Sequence, residues 1–133
     1  MRLEKHYEFK DSIEPWQLIN KFNFSFNIGN YIKYQSRLGK KDDVSKEISK
    51  MNTYIDFEIA RLENDWLVNK KTYSFHTYIY TVETEQLLID TLLQYGLGDE
   101  KIQYFLALCA AKDITDNDDF ETCRFYLLKL KYL

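Results

Sequence analysis

From Val44 to Leu62 the apolar residues fall at Val44, Ile48, Met51, Ile55, Ile59 and Leu62. Steps of three and four held for about five turns bring one side of an α-helix back to the same neighbour; a strand would scatter these residues over both faces. A stripe this long needs other elements to cover it. Two short helices are predicted upstream. Pro15 after Ser12-Ile13-Glu14 suits a first helical turn, where the missing N–H costs nothing, so one helix is expected from Pro15 to about Phe22. After a polar-aromatic connection from Asn23 to Asn27, a second helix should carry Tyr31, Ile32, Tyr34 and Leu38 and stop at Gly39.

Between Lys71 and Val82 the pattern changes to β-branched and aromatic residues. Tyr73, Phe75, Thr77, Ile79 and Thr81 would lie on one face of a strand, with Ser74, His76, Tyr78, Tyr80 and Val82 on the other. Thr84 is the expected cap of the next helix, which carries Leu87, Leu88, Leu92 and Leu93 and ends at Gly96. Further helices are expected over about 99–112 and 118–130. The fold class is therefore mainly α with a small β element (α+β), a bundle of about six helices in one compact domain over residues 1–133. Its first half is 6–66 and its second 72–133.

The halves share a pattern. Ile13-Glu14-x-x-Gln17-Leu18-Ile19 aligns with Val82-Glu83-x-x-Gln86-Leu87-Leu88, and in each half two more helices with an acidic loop between them follow. Two readings stand: a degenerate duplication of a strand-plus-three-helix unit, or unrelated segments sharing generic amphipathic spacing. If duplicated, the second half has lost its cations, because Lys33, Arg37 and Lys40 align near Leu106, Ala110 and Asp113.

Composition excludes several classes. Aromatic residues make up 17% of the chain, with 11 Tyr and 9 Phe, so many rings must be core. A formal charge of -3 and a pI of about 5.4 leave no basic footprint for an extended nucleic-acid track. Cys109 and Cys123 have no CxxC spacing and read as reduced core residues. The charged N-terminus does not suit a signal peptide, and no run approaches the roughly 18 apolar residues of a membrane span, so a cytoplasmic protein is expected. No Walker, dinucleotide-fold, nucleophile-elbow or HExxH motif is present.

One polar constellation stands out. Asn30, Lys33 and Arg37 are spaced i, i+3 and i+7 with Tyr34 beside them, and Gly39 lets the chain turn to bring in Lys40 and Lys41. An arginine grips a phosphate bidentately and lysines add mobile charge. The alternative is a solvated face, positively charged because it adjoins a helix C-terminus. Gly29 permits close approach of backbone or of a neighbouring helix. His6 with Tyr7 could contact a base or shuttle a proton, or merely pack; His76 in the strand has no obvious partner. Asp42 and Asp43 either hold a metal, orient a lysine or cap the following helix.

The string His6-Tyr7, Ile13-Glu14-Pro15, Gly29-Asn30-x-Ile32-Lys33-Tyr34-x-x-Arg37-x-Gly39-x-Lys41-Asp42, then Lys50 and Tyr54, resembles a domain family of unknown function found in tailed phages, some of whose members are called phage nucleotide kinase. The resemblance covers about residues 6–61. It departs from the family's pattern at Val44 to Met51. It implies a nucleotide ligand in the host cytoplasm, Tyr7, Asn30, Lys33, Tyr34, Arg37 and Lys41 as ligand-facing residues, and His6 or Asp42 as proton acceptor in a nucleoside monophosphate kinase-like reaction; Lys40 joins the ligand-facing set only through its place in the cationic patch. No cofactor or metal set is specified. The other function class is a non-catalytic phage anti-defence or host-takeover inhibitor that sequesters a nucleotide signal or binds a host protein, and a homo-oligomer is compatible with either.

Overall fold

The computed structural model describes residues 13–40, 43–77, 80–111 and 113–133. Among these it has six α-helices and one two-stranded sheet: α1 (Pro15–Phe22), α2 (Phe26–Ser36), α3 (Val44–Glu63), β1 (Tyr73–Ser74), α4 (Val82–Gln94), α5 (Asp99–Ala111), β2 (Asp113–Ile114) and α6 (Asn117–Lys129). A short π-helical turn, Asn64–Val68, extends α3. The fold is mainly α with a small β element, as the periodicities require.

Local chemistry sets the boundaries. Pro15 opens α1, and the Glu14 backbone N–H is taken by Gln17 Oε1 at 2.8 Å. Asn23, in the left-handed region at φ 57°, closes the helix. Ser25 caps α2, its hydroxyl accepting the Ile28 N–H. At Gly29 a Cβ would stand 3.3 Å from Ile19 Cγ2, so here glycine serves the packing of α1 on α2.

Helix α2 ends two residues before the predicted Leu38. Arg37 is its C-cap, and a turn follows in which the Lys40 N–H reaches the Arg37 carbonyl at 2.9 Å with Gly39 at φ +80°. Glycine takes that positive φ without a Cβ penalty. The turn reverses the chain so that α3 runs back along α2, the most extensive helix pairing among the described residues. Helices α5 and α6 pair in the same way, and α6 lies on α3. A continuous core joins both halves, with Ile28, Ile32, Met51, Ile55 and Leu62 meeting Leu88, Phe105, Leu108 and Leu127. The first three helices have 8, 11 and 20 residues and the last three 13 each.

The strand expected from Lys71 to Val82 is reduced to Tyr73–Ser74, paired antiparallel with Asp113–Ile114. Two reasons are visible. The partner is only two residues long, and Phe75 and His76 are both buried, which breaks the alternation a strand needs. His76 Nε2 meets the Cys109 carbonyl at 2.8 Å, and its ring packs edge-on against Phe22 and Phe24. Thr81 has already become the N-cap of α4, so the cap lies three residues before the expected Thr84. Thr84 instead returns its hydroxyl to the Thr81 N–H, completing a reciprocal box. The predicted β face residues Tyr78 and Ile79 lie outside the described residues.

Both cysteines are free and buried. Burial raises the Cys109 thiol well above its usual range, and burial followed by the charge of Glu58 pushes Cys123 up to about 12. No described helix is long and apolar enough to cross a membrane.

Candidate functional site on the α2–α3 face

The stripe on α3 contains two charges that its apolar periodicity does not announce. Glu47 and Glu58, about three turns apart (3.6 residues per turn), have side chains with no solvent exposure. A carboxylate taken out of water must be neutralised or bonded. The two meet that demand differently.

Glu58 is fully engaged. Its Oε1 accepts from Ser25 Oγ at 2.9 Å, Asn27 Nδ2 at 3.1 Å and Arg61 Nε at 3.2 Å; its Oε2 accepts from Arg61 Nη2 at 2.6 Å and from the Tyr73 hydroxyl. Arg61 in turn donates to the Ser74 carbonyl at 3.0 Å and lies 4.5 Å from the centroid of the Tyr73 ring. Burial alone would lower the Arg61 pKa, but the hydrogen bond and charge of Glu58 outweigh it and raise it. Burial, reinforced by Glu58, drives the Tyr73 hydroxyl well above the ordinary tyrosine range. This network ties the cap of α2, helix α3 and strand β1 together.

Glu47 is not fully engaged. Its Oε2 accepts from Arg37 Nε at 3.1 Å, and its Oε1 has no hydrogen-bond partner among the described residues. Arg37, the C-cap residue of α2, reaches across to Glu47 on α3 from the end of its helix. Its guanidinium carbon stands 4.6 Å from the Tyr34 ring centroid, and Lys50 Nζ, from α3, is 5.5 Å from the same centroid. Tyr34 stacks on Tyr54 at 6.1 Å and 21°. Tyr54 is met edge-on by Phe26 and Phe57, each at 5.9 Å. Phe26 and Phe57 are 75% and 53% exposed, so an aromatic surface continues outward from the cations.

The structure thus brings Tyr34 and Arg37 together and adds Lys50 and Tyr54 to them. Lys33 is exposed on the neighbouring turn of α2. The Asn30 amide donates to the Phe26 carbonyl of its own helix at 2.9 Å. Lys40 is exposed, and its Nζ donates to the Ser36 carbonyl at 3.1 Å, a cation at the helix C-terminus. His6, Tyr7, Lys41 and Asp42 lie outside the described residues. Asp43 occupies the N-cap position of α3, where its carboxylate accepts from Ser45 Oγ at 2.5 Å. Among the described residues no cluster of three or more His, Cys, Asp or Glu side chains has metal-site geometry.

Phe26 and Phe57 were not legible as part of this surface, since each falls outside the core stripe of its helix and looks like an isolated exposed ring. A signal for Glu47 and Glu58 does exist. Each stands four residues before a buried apolar residue, Met51 and Leu62, and such a residue shares a helix face.

Residues 3–56 match a family model described as a protein of unknown function (DUF3310). Over that segment the chain is similar to a domain of unknown function. The match takes in α1, α2 and most of α3, and so Tyr34, Arg37, Glu47, Lys50 and Tyr54; Phe57 and Glu58 fall just beyond it. No curated protein and no solved structure matches the chain.

Proposed function

We propose that the α2–α3 face binds a nucleotide, with Arg37, Lys50 and Lys33 receiving phosphate and the aromatic surface of Tyr54, Phe26 and Phe57 receiving the base. The observation that carries this reading is the placement of two cations on the Tyr34 ring, which stacks on Tyr54, a ring flanked in turn by the exposed Phe26 and Phe57. Guanidinium and ammonium groups answer the anionic end of a nucleotide, and a ring stacked or edge-exposed beside them answers the base. The resemblance to the phage nucleotide-kinase-like family gives the same ligand class. In a nucleoside monophosphate kinase-like reaction, a terminal oxygen of the monophosphate attacks the γ-phosphorus of a nucleoside triphosphate and the donor leaves as its diphosphate; the cations would neutralise charge on the transferred phosphoryl group, with His6 or Asp42 accepting the proton of a monoanionic acceptor phosphate.

Calorimetry with nucleoside mono-, di- and triphosphates tests the binding. Saturable binding weakened by Lys50→Ala and Tyr54→Ala is expected. A phosphate-transfer assay on the same nucleotides then separates kinase from binder: turnover supports the enzyme, and binding without turnover supports sequestration of a nucleotide signal.

The exposure of Phe26 and Phe57 favours a second reading, in which a phage protein docks this face on a host protein as an anti-defence or takeover inhibitor. A stoichiometric host partner recovered by wild type and lost with Phe26→Ser and Phe57→Ser, in a chain that binds no nucleotide, would favour it.

A further inference from the structure

Arg37 is held by one edge and open at the other. Its Nε donates to the buried Glu47, its plane lies over Tyr34, and its two terminal nitrogens have no hydrogen-bond partner among the described residues. Glu47 depends on Arg37 in turn: its side chain is fully buried, its other oxygen is unpartnered, and Arg37 is its sole donor among the described residues. An arginine side chain loses considerable rotamer freedom when it is fixed on a ligand. Here that ordering is already done in the free protein, because a buried carboxylate gives up its counter-charge reluctantly. The fixed edge is Nε, so the presented edge is the pair of terminal nitrogens, a fork whose parallel N–H groups match two oxygens of one phosphoryl group.

Resting on the nucleotide reading above, we infer that Glu47 is a positioning residue that orients Arg37 as a preformed fork for a terminal phosphomonoester. The ligand class follows. A nucleoside monophosphate offers two or three equivalent oxygens at its end and fits the fork, whereas the parent nucleoside offers none. Lys50, whose Nζ is 5.5 Å from the centroid of the same Tyr34 ring, supplies the second positive charge that a dianion requires. Lysine in place of Arg37 keeps the charge but loses both the Nε anchor and the fork.

The test uses the full chain and two readouts. The first is the Arg37 Nε–H resonance in an arginine-labelled NMR spectrum, which should be sharp and slow to exchange in wild type and lost in Glu47→Gln. The second is titration with deoxynucleoside monophosphates, the parent nucleosides and inorganic phosphate. Wild type should prefer monophosphate over nucleoside at least tenfold. Glu47→Gln and Arg37→Lys should each lose most of that preference, while retaining the nucleoside affinity and the wild-type helical circular dichroism. Glu47→Asp, which keeps the charge, should recover part of it. If Glu47→Gln does not fold, Arg37→Lys and the wild-type resonance carry the test. Monophosphate binding unchanged in Arg37→Lys overturns the positioning role and leaves the nucleotide reading standing; equal binding of nucleoside and monophosphate by wild type overturns both. Wild-type protein that binds neither monophosphate nor nucleoside overturns both.

Discussion

Helix α3 carries two buried glutamates, and the contrast between them separates what holds this protein together from what it presents. Around Glu58, two carboxylate oxygens receive donors from Ser25, Asn27, Arg61 and Tyr73, spread over the start of α2, α3 and strand β1. Around Glu47, among the described residues, a single arginine donates, one oxygen is left without a partner, and the arginine keeps its outer edge open. A satisfied buried carboxylate fixes a fold; a half-satisfied one stores an unmet demand beside an open surface. The difference teaches that burial of charge alone does not mark a site. What sets the Glu47 node apart is that its arginine keeps two terminal nitrogens without a hydrogen-bond partner among the described residues, beside exposed aromatic rings.

The largest expected effect lies at the satisfied node. Glu58→Gln leaves Arg61 and the Tyr73 hydroxyl without their charged partner, and removing one member of a buried pair costs about 3 kcal/mol or more. Urea unfolding should show the midpoint falling with the slope unchanged. A loss under about 1 kcal/mol, the scale of an exposed pair, would remove the structural role given to this network.

Alkaline pH should attack the same node next. Tyr73 and Cys123 both have raised pKa values in the folded state, through burial first and then Glu58, Cys123 from 9.0 to about 12. Groups that hold their protons more tightly when folded contribute stability that is complete below the unfolded pKa and is lost as pH rises toward the folded one. Stability should therefore be flat below about pH 8 on this account and fall progressively above about pH 9. The thiols should resist a thiol reagent at pH 8 in the native state. Rapid native-state modification at that pH would contradict their burial.

A smaller change is predicted at the other node. Replacing the Glu47–Arg37 pair with apolar residues, as in the double variant Arg37→Met, Glu47→Leu, removes an incompletely bonded carboxylate together with its counter-charge. Such replacements are commonly neutral or stabilising, so stability should stay within about 1 kcal/mol of wild type. Nucleotide affinity should nevertheless fall. A double variant as unstable as Glu58→Gln would erase the distinction between the two glutamates.

The smallest effect is expected at Lys40, whose Nζ donates to the Ser36 carbonyl at the end of α2. Lys40→Ala should cost a few tenths of a kcal/mol through the helix dipole and change ligand affinity less than twofold, where Lys50→Ala changes it several-fold. Equal effects of the two lysines on affinity would merge the regions that the structure separates.

Much of the architecture could be read from the sequence because helices announce themselves locally. Pro15 and Phe22 mark the ends of α1, and the stripe from Val44 to Leu62 marks α3 to within one residue. The segment after Lys71 could not be read in the same way. Its aromatic and β-branched composition is also what a buried, irregular segment needs, and the length of its strand was decided by a partner, Asp113–Ile114, forty residues away in sequence. The candidate site was half legible. Tyr34 and Arg37 stood in a conspicuous string, but the string implied one helical stripe. The C-cap at Arg37, the turn at Gly39 and the buried Glu47 give it a different geometry, with Lys50 and Tyr54 contributed from the next helix. Those are tertiary facts, set by how α3 folds back on α2.

The central claim is that one face, built from α2 and α3, receives a nucleotide through its phosphate. The most direct measurement is calorimetric titration of the wild-type chain and Lys50→Ala with nucleoside mono-, di- and triphosphates at two salt concentrations. The account predicts one nucleotide per chain, weakened at the higher salt and weakened several-fold further by Lys50→Ala, whose helical content stays unchanged. No saturable binding of any nucleotide to the folded wild type, or binding that Lys50→Ala leaves untouched, would contradict it.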